Sequence, residues 1–84
     1  MPEVARFYGL VIKMFFMQSE HNQPHFYVLY GEEMGAFDLN TLDILEGDLP
    51  PRAINLVHEW ASQHKTELLE MWNAREVSAL LPLE

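Results

Sequence analysis

The residues best suited to chemistry lie together between Glu20 and Tyr27, where two imidazoles, a carboxylate and a phenol fall within eight positions. His25 and Tyr27 are expected on one face of a strand, because strand side chains alternate. The preceding loop would carry Glu20 and His21. Two imidazoles and a carboxylate can bind zinc or another borderline divalent metal, so Glu20, His21 and His25 form a candidate metal site.

The same segment suits acid–base chemistry, because histidine titrates near neutral pH. In this interpretation His21 and His25 act as acid and base in RNA cleavage, assisted by Arg6 or Tyr27. A structural interpretation stands beside both. His25 then packs against a helix and bonds a carbonyl, while Glu20 and His21 are solvated. Pro24 between the two histidines disfavours the helical spacing at which such a pair binds metal best.

Other residues with chemical potential have simpler interpretations. Removal of Met1 would expose Pro2 as a secondary amine that could act as a general base, but a proline after methionine is ordinarily an inert terminus. His64 falls on an apolar helical stripe and His58 near its edge, which is typical of core or boundary histidines. No cofactor is predicted apart from the divalent metal.

The amino-acid composition limits the classes of protein to which this chain can belong. The chain has 84 residues, 49% of them apolar and 12% aromatic, so we expect one folded domain spanning 1–84. It has no cysteine and no stretch of about 20 apolar residues, which excludes disulfides and a membrane-spanning helix. No signal peptide is apparent, so a cytoplasmic location is expected. With a net charge of −8, the chain by itself is poorly suited to binding nucleic acid.

The elements that must position these residues are strands followed by a helix, an α+β fold. Periodicity predicts a three- to four-stranded antiparallel sheet. Its first strand is long and apolar on both faces, and Gly31 to Gly35 form a turn. The predicted strands cover residues 7–16, 25–30, 36–39 and 42–45.

A long C-terminal amphipathic helix is predicted from Pro50 to Arg75, with Asp48 as a plausible cap or dipole partner. At 1.5 Å per residue it would be about 39 Å long, more than a small sheet covers. It should therefore break near Gln63 or pack its far end on another protein chain. The side chains predicted to form that interface are Trp60, His64, Leu68 and Trp72.

Several short motifs along the chain resemble one bacterial family. They include Arg6-Phe7-Tyr8-Gly9, the run from His21 to Phe26, and Glu59-Trp60-Ala61. Together they resemble the proteins catalogued as domain of unknown function 4160, over nearly the whole chain. The resemblance implies a stand-alone bacterial protein, often encoded beside another small domain of unknown function, in the manner of toxin–antitoxin modules.

The chain departs from the family pattern in the histidine segment. It has Glu20 in place of an aspartate, Gln23 in place of a proline and Tyr27 in place of a third histidine. Loss of that imidazole weakens a metal site more than it weakens acid–base chemistry. Two hypotheses follow. The first is an interaction component that binds a protein partner, or a second copy of itself, in a toxin–antitoxin-like module. The alternative is a small ribonuclease-like toxin.

Overall fold

The computed structural model describes residues 3–14 and 24–82. It shows one antiparallel sheet whose strands lie in chain order, followed by one helix, which confirms the predicted α+β class. The elements are β1 Glu3–Phe7, β2 Leu10–Lys13, β3 His25–Tyr30, β4 Glu33–Asp38, β5 Ile44–Gly47 and α1 Pro51–Ala74. No helix in these two ranges is long and apolar enough to cross a membrane.

The sheet has five strands rather than three or four, because the predicted first strand is wrong at its start. Tyr8 and Gly9 both adopt positive φ, at 47° and 81°, and form a two-residue turn between β1 and β2. Two consecutive positive φ angles suit the right-handed twist of a hairpin, so the chain reverses there. Phe15 and Phe16, the end of the predicted strand, lie outside the described residues.

The last two strands are also displaced from their predicted positions. Tyr30 pairs with Glu33, so the turn is only Gly31-Glu32 and β4 begins three residues earlier than predicted. After β4, the Asp38 carboxylate accepts hydrogen bonds from the backbone N–H groups of Asn40 and Thr41, at 2.7 and 3.2 Å. This side chain fixes a loop that delays β5 to Ile44.

The helix covers one face of the sheet and is continuous through Gln63, so the predicted break is wrong. It is 24 residues long, about 36 Å, and buries side chains from Ala53 to Trp72. A fifth strand widens the sheet beneath it. The chain after the helix also folds back onto β1, where the Leu80 N–H donates a hydrogen bond to the carbonyl of Val4 at 2.9 Å. These additions cover the apolar stripe that a smaller sheet would leave exposed.

The ends of the helix follow from local sequence. Pro50 is the N-cap and Pro51 the first helical residue, and no side chain caps the helix, so the predicted cap at Asp48 is wrong. At the other end Arg75 adopts a left-handed conformation, with φ 57°. Glu76 N–H bonds Met71 O at 3.2 Å, which closes the last turn as in a Schellman motif.

Two glycines with positive φ give a matched test of the β4–β5 pairing. A Cβ at Gly47 would lie 2.1 Å from the carbonyl oxygen of Met34, whereas a Cβ at Gly31 would meet nothing within 4 Å. Gly31→Ala should cost only backbone strain, about 1–2 kcal/mol. Gly47→Ala should cost about 3 kcal/mol or more, because strain and backbone overlap add. Urea denaturation measures both, and equal losses would contradict the register.

Candidate functional site

Two of the predicted chemical residues, His25 and Tyr27, meet at the start of β3. The ring of His25 lies 5.3 Å from that of Tyr27 in an edge-to-face arrangement. On another side it lies 5.1 Å from the ring of Trp72, on the last turn of the helix. The guanidinium carbon of Arg75 lies 5.1 Å from the centroid of Trp72. We call these four residues the His25 cluster.

The burial of His25 limits the chemistry that the His25 cluster can perform in this conformation. His25 is only 1% exposed, although strand alternation puts it on the same face as the half-buried Tyr27. Within residues 3–14 and 24–82, every buried side-chain nitrogen or oxygen has a hydrogen-bond partner. A general acid or base must come within hydrogen-bond reach of its substrate. In this conformation His25 is therefore buried against Trp72 of the helix, and the carbonyl hydrogen bond of the structural interpretation stays a prediction.

Arg6 is not brought to this cluster. It lies on β1 and its guanidinium donates to Glu3 Oε1 from two nitrogens, at 2.7 and 2.9 Å, with its side chain 69% exposed. Arg6 pairs with Val11 on β2, and Val11 pairs with Leu29 on β3, which lies four residues from His25. Two strand spacings across the sheet and four residues along β3 therefore separate the backbones of Arg6 and His25 by about 16 Å. Arg6 therefore cannot assist His25 in the predicted way.

The remaining predicted chemical residues fall in segments that the structure does not describe. Glu20, His21 and Pro2 lie outside the described residues. Among the residues that are described, no three histidine, aspartate or glutamate side chains are grouped to hold a metal ion. The zinc site and the His21–His25 acid–base pair therefore stay predictions.

The helix histidines have structural partners. His58 Nε2 lies 2.7 Å from the carbonyl oxygen of Leu42, a residue with φ 65° in the β4–β5 loop. His64 Nδ1 lies 3.1 Å from Glu67 Oε1. Lys65 Nζ donates to the carbonyl of Asn40. His58 and Lys65 therefore hold the β4–β5 loop against the helix, a role that helical periodicity does not reveal.

The side chains predicted to face a partner lie mainly in the chain's own core. Trp60 and Leu68 are 0% exposed and Trp72 is 9% exposed, all within the hydrophobic core. The ring of His64 lies 5.1 Å from that of Trp60, with the two ring planes tilted by 43°. In this fold the apolar stripe of the helix packs against the sheet and the returning tail. Trp60, Leu68 and Trp72 are therefore not available to another protein in this conformation.

Two surfaces outside the predicted set are candidates for binding another protein. One is the face of the sheet opposite the helix, which we call the open face; no described element covers it except at its His25 end, where Trp72 packs. The other is the edge formed by β5. The open face carries the side chains of Glu3, Arg6, Val11, Lys13, His25, Tyr27, Leu29, Met34, Ala36, Asp38 and Glu46, as the strand pairing places them. Alternation within the strands was the sequence signal for this surface.

The charge along the chain sets the β5 edge apart. Residues 31–49 contain six carboxylates and no lysine or arginine: Glu32, Glu33, Asp38, Asp43, Glu46 and Asp48. On either side of this segment, acidic and basic residues are mixed. The acidic excess of the protein is thus concentrated in β4, β5 and their connections, which we call the acidic segment.

Comparison with known proteins supports the resemblance noted above. The family model described as "Domain of unknown function (DUF4160)" matches residues 9–73. No curated protein and no solved structure matches the chain significantly. The matched range includes β2 to β5 and nearly all of the helix, and it contains the histidine segment.

Replacement of His25 by alanine separates the structural interpretation from the catalytic one. The variant should lose about 2–4 kcal/mol of unfolding free energy, because it leaves a cavity against Tyr27 and Trp72. Arg6→Ala is the control and should change stability by no more than about 0.5–1 kcal/mol, since its ion pair is exposed. Urea denaturation followed by tryptophan fluorescence measures both. Unchanged stability in His25→Ala would show that the ring is free for chemistry.

Proposed function

We propose that this chain, which belongs to the DUF4160 family, is a protein–protein interaction component of a two-protein, toxin–antitoxin-like module. The pairing of genes that the family resemblance implies supports the two-protein part. The structure supports the interaction part through one observation: the sheet has an edge strand that is exposed, acidic and not covered by any described segment. We propose that the partner binds along this edge.

The two edges of the sheet differ. At β1 the returning tail lies alongside, and Leu80 N–H donates to Val4 O. At β5 no described segment lies beyond the strand. Three of its four residues are exposed, among them Ile44 at 37%. An exposed edge strand presents backbone N–H and C=O groups to which an extended segment of another protein can add as a further strand.

Charge indicates which kind of segment adds there. Asp43 and Asp48 are exposed beside β5, and residues 31–49 contain no lysine or arginine. Natural sheets often protect such edges with lysine, which this edge lacks. The complementary occupant is an extended segment rich in lysine or arginine. Electrostatic attraction would speed its association and make the binding weaken with salt.

The ribonuclease alternative has less support from the described residues. Its candidate base, His25, is buried, and Arg6 lies on a different part of the sheet. The acidic segment would repel an RNA substrate. Tightly induced expression with growth and total RNA followed over time tests this alternative. RNA fragmentation that disappears in a folded His25 variant would favour the enzyme.

Charge reversal on the β5 edge should abolish partner binding without disturbing the fold. The variant Asp43→Lys/Asp48→Lys changes exposed side chains only, and we expect at least a tenfold loss of affinity for the protein encoded beside this chain. Glu59→Lys/Glu70→Lys makes the same change of charge on the exposed side of the helix and should bind nearly as the parent does.

The measurement is co-purification of the two proteins, followed by calorimetric titration at two salt concentrations. Binding of the parent that weakens with salt, with only the edge variant defective, is the expected result. Equal losses in both variants would indicate a general charge effect and overturn the edge as the site. Failure of the parent to bind its neighbour at any salt concentration would overturn the two-protein proposal itself.

A further inference from the structure

The strand that forms the proposed edge is short and irregular. β5 has four residues, and the register shifts where it pairs with Ala36 and Phe37 of β4. A short edge strand opens locally at a low cost in free energy unless other parts of the molecule hold its ends. An extended segment adds to an edge whose backbone groups are aligned, so the order of β5 contributes to how well such a segment binds.

The two ends of β5 are held in different ways. At the C-terminal end Gly47, with φ 91°, lies so close to β4 that a Cβ there would be 2.1 Å from Met34 O. At the N-terminal end the strand is entered from the β4–β5 loop, residues 39–43, in which Leu42 has φ 65°. A left-handed conformation is unfavourable for leucine, so it persists only where the surroundings hold it.

The hydrogen bonds within this loop are local. Leu42 N–H donates to the carbonyl of Asp38 at 2.8 Å, and Asp43 N–H donates to Thr41 Oγ1 at 3.2 Å. Asp38 N–H donates in turn to the carbonyl of Asp43 at 2.9 Å. The carbonyls of Asn40 and Leu42 instead accept hydrogen bonds from the helix. The loop that leads into β5 is therefore joined to the helix through its own backbone.

Two side chains of the helix make these bonds. His58 Nε2 lies 2.7 Å from Leu42 O, and Lys65 Nζ donates to Asn40 O. A carbonyl oxygen can only accept, so His58 Nε2 carries the hydrogen of its bond. The ring of His58 also meets Phe37 of β4 edge-to-face, with centroids 6.1 Å apart. We call the two hydrogen bonds from His58 and Lys65 the helix clamp.

We propose that His58 positions the β5 edge for its partner, so that the helix clamp controls the affinity of the edge. Because the clamp holds Leu42 in its strained conformation, β5 begins at a fixed place before any segment binds. An edge that is already ordered loses less conformational entropy on binding than one that its partner must order. The apparent dissociation constant rises as the population of the ordered edge falls. This role rests on the binding to β5 proposed above.

Three variants separate the hydrogen bond from the bulk of the ring. His58→Leu keeps an apolar side chain against Phe37 but removes the donor, whereas His58→Gln keeps a side-chain N–H. His64→Leu is the matched control, because His64 Nδ1 lies 3.1 Å from Glu67 Oε1 on the same helix and not from the β4–β5 loop.

Calorimetric titration with the protein encoded beside this chain measures the effect on binding. His58→Leu should bind about tenfold more weakly than the parent, because it loses the bond that holds the loop. His58→Gln should recover most of this loss, and His64→Leu should bind as the parent does. All four proteins are compared at a temperature at which each is folded.

Hydrogen exchange of the unbound protein provides a second measurement that needs no partner. The amides of Leu42 and Asp43 should exchange about tenfold faster in His58→Leu than in the parent, because the loop opens more often. The amide of Val28, in the centre of the sheet, should exchange at an unchanged rate. Faster exchange at Val28 as well would show general destabilisation and would overturn a specific role for His58.

The outcomes distinguish this role from the β5 proposal. A parent that binds its neighbour, together with a His58→Leu variant that binds equally well, overturns the role of His58 and leaves the β5 edge as the site. A parent that does not bind at all overturns the β5 proposal, and with it any role of His58 in binding. Unchanged exchange of Leu42 and Asp43 in His58→Leu overturns the helix clamp itself, whatever the binding result.

Discussion

The packing of Trp60 joins every layer of this small domain. Its ring lies 5.6 Å from that of Phe7 on β1 and 6.5 Å from that of Phe26 on β3. Its indole N–H donates to the carbonyl of Leu81 at 2.9 Å. One fully buried side chain thus connects the first hairpin, the central strand, the helix and the tail. Aromatic side chains of this size contribute most of the apolar area that a small core can bury.

Because a single helix covers the sheet, the rest of the architecture is constrained. The helix buries one face from Ala53 to Trp72, and the tail completes the cover through Val77 and Leu80. The described part of the chain has no second helix for the other face. The molecule therefore divides into a buried helical face, an open face and two edges, of which one is next to the tail. The surfaces left for function follow from this division rather than from any catalytic motif.

The parts of the fold that were predictable from sequence are those with a long or clear period. The helix from Pro51 to Ala74 and β3 from His25 to Tyr30 were predicted within a residue. The first hairpin was missed because Tyr8 occupies a left-handed turn position that most residues avoid, so composition showed an uninterrupted strand. The β4–β5 loop was misplaced because its geometry depends on the side chain of Asp38 and on distant partners, His58 and Lys65.

Prediction from sequence was limited in a similar way at the candidate site. Proximity in sequence brought His25 and Tyr27 together correctly, because they are two apart on one strand. It could not show that Trp72, nearly fifty positions later, would pack on the same imidazole and bury it. Arg6 was predicted to assist the histidine pair. Its separation from His25 follows from the register across β1, β2 and β3.

The distribution of charge sets the acidic segment apart from the rest of the described surface. An interface between identical chains must be complementary to itself, and a surface of one sign repels its own copy. The acidic segment therefore suits a partner of opposite charge better than a second copy of the chain. The acidic segment and the open face meet at β5, where the Glu46 side chain belongs to the open face and its backbone belongs to the edge. Because the side chain and the backbone of one strand point in perpendicular directions, a segment that binds along the edge leaves the open face uncovered.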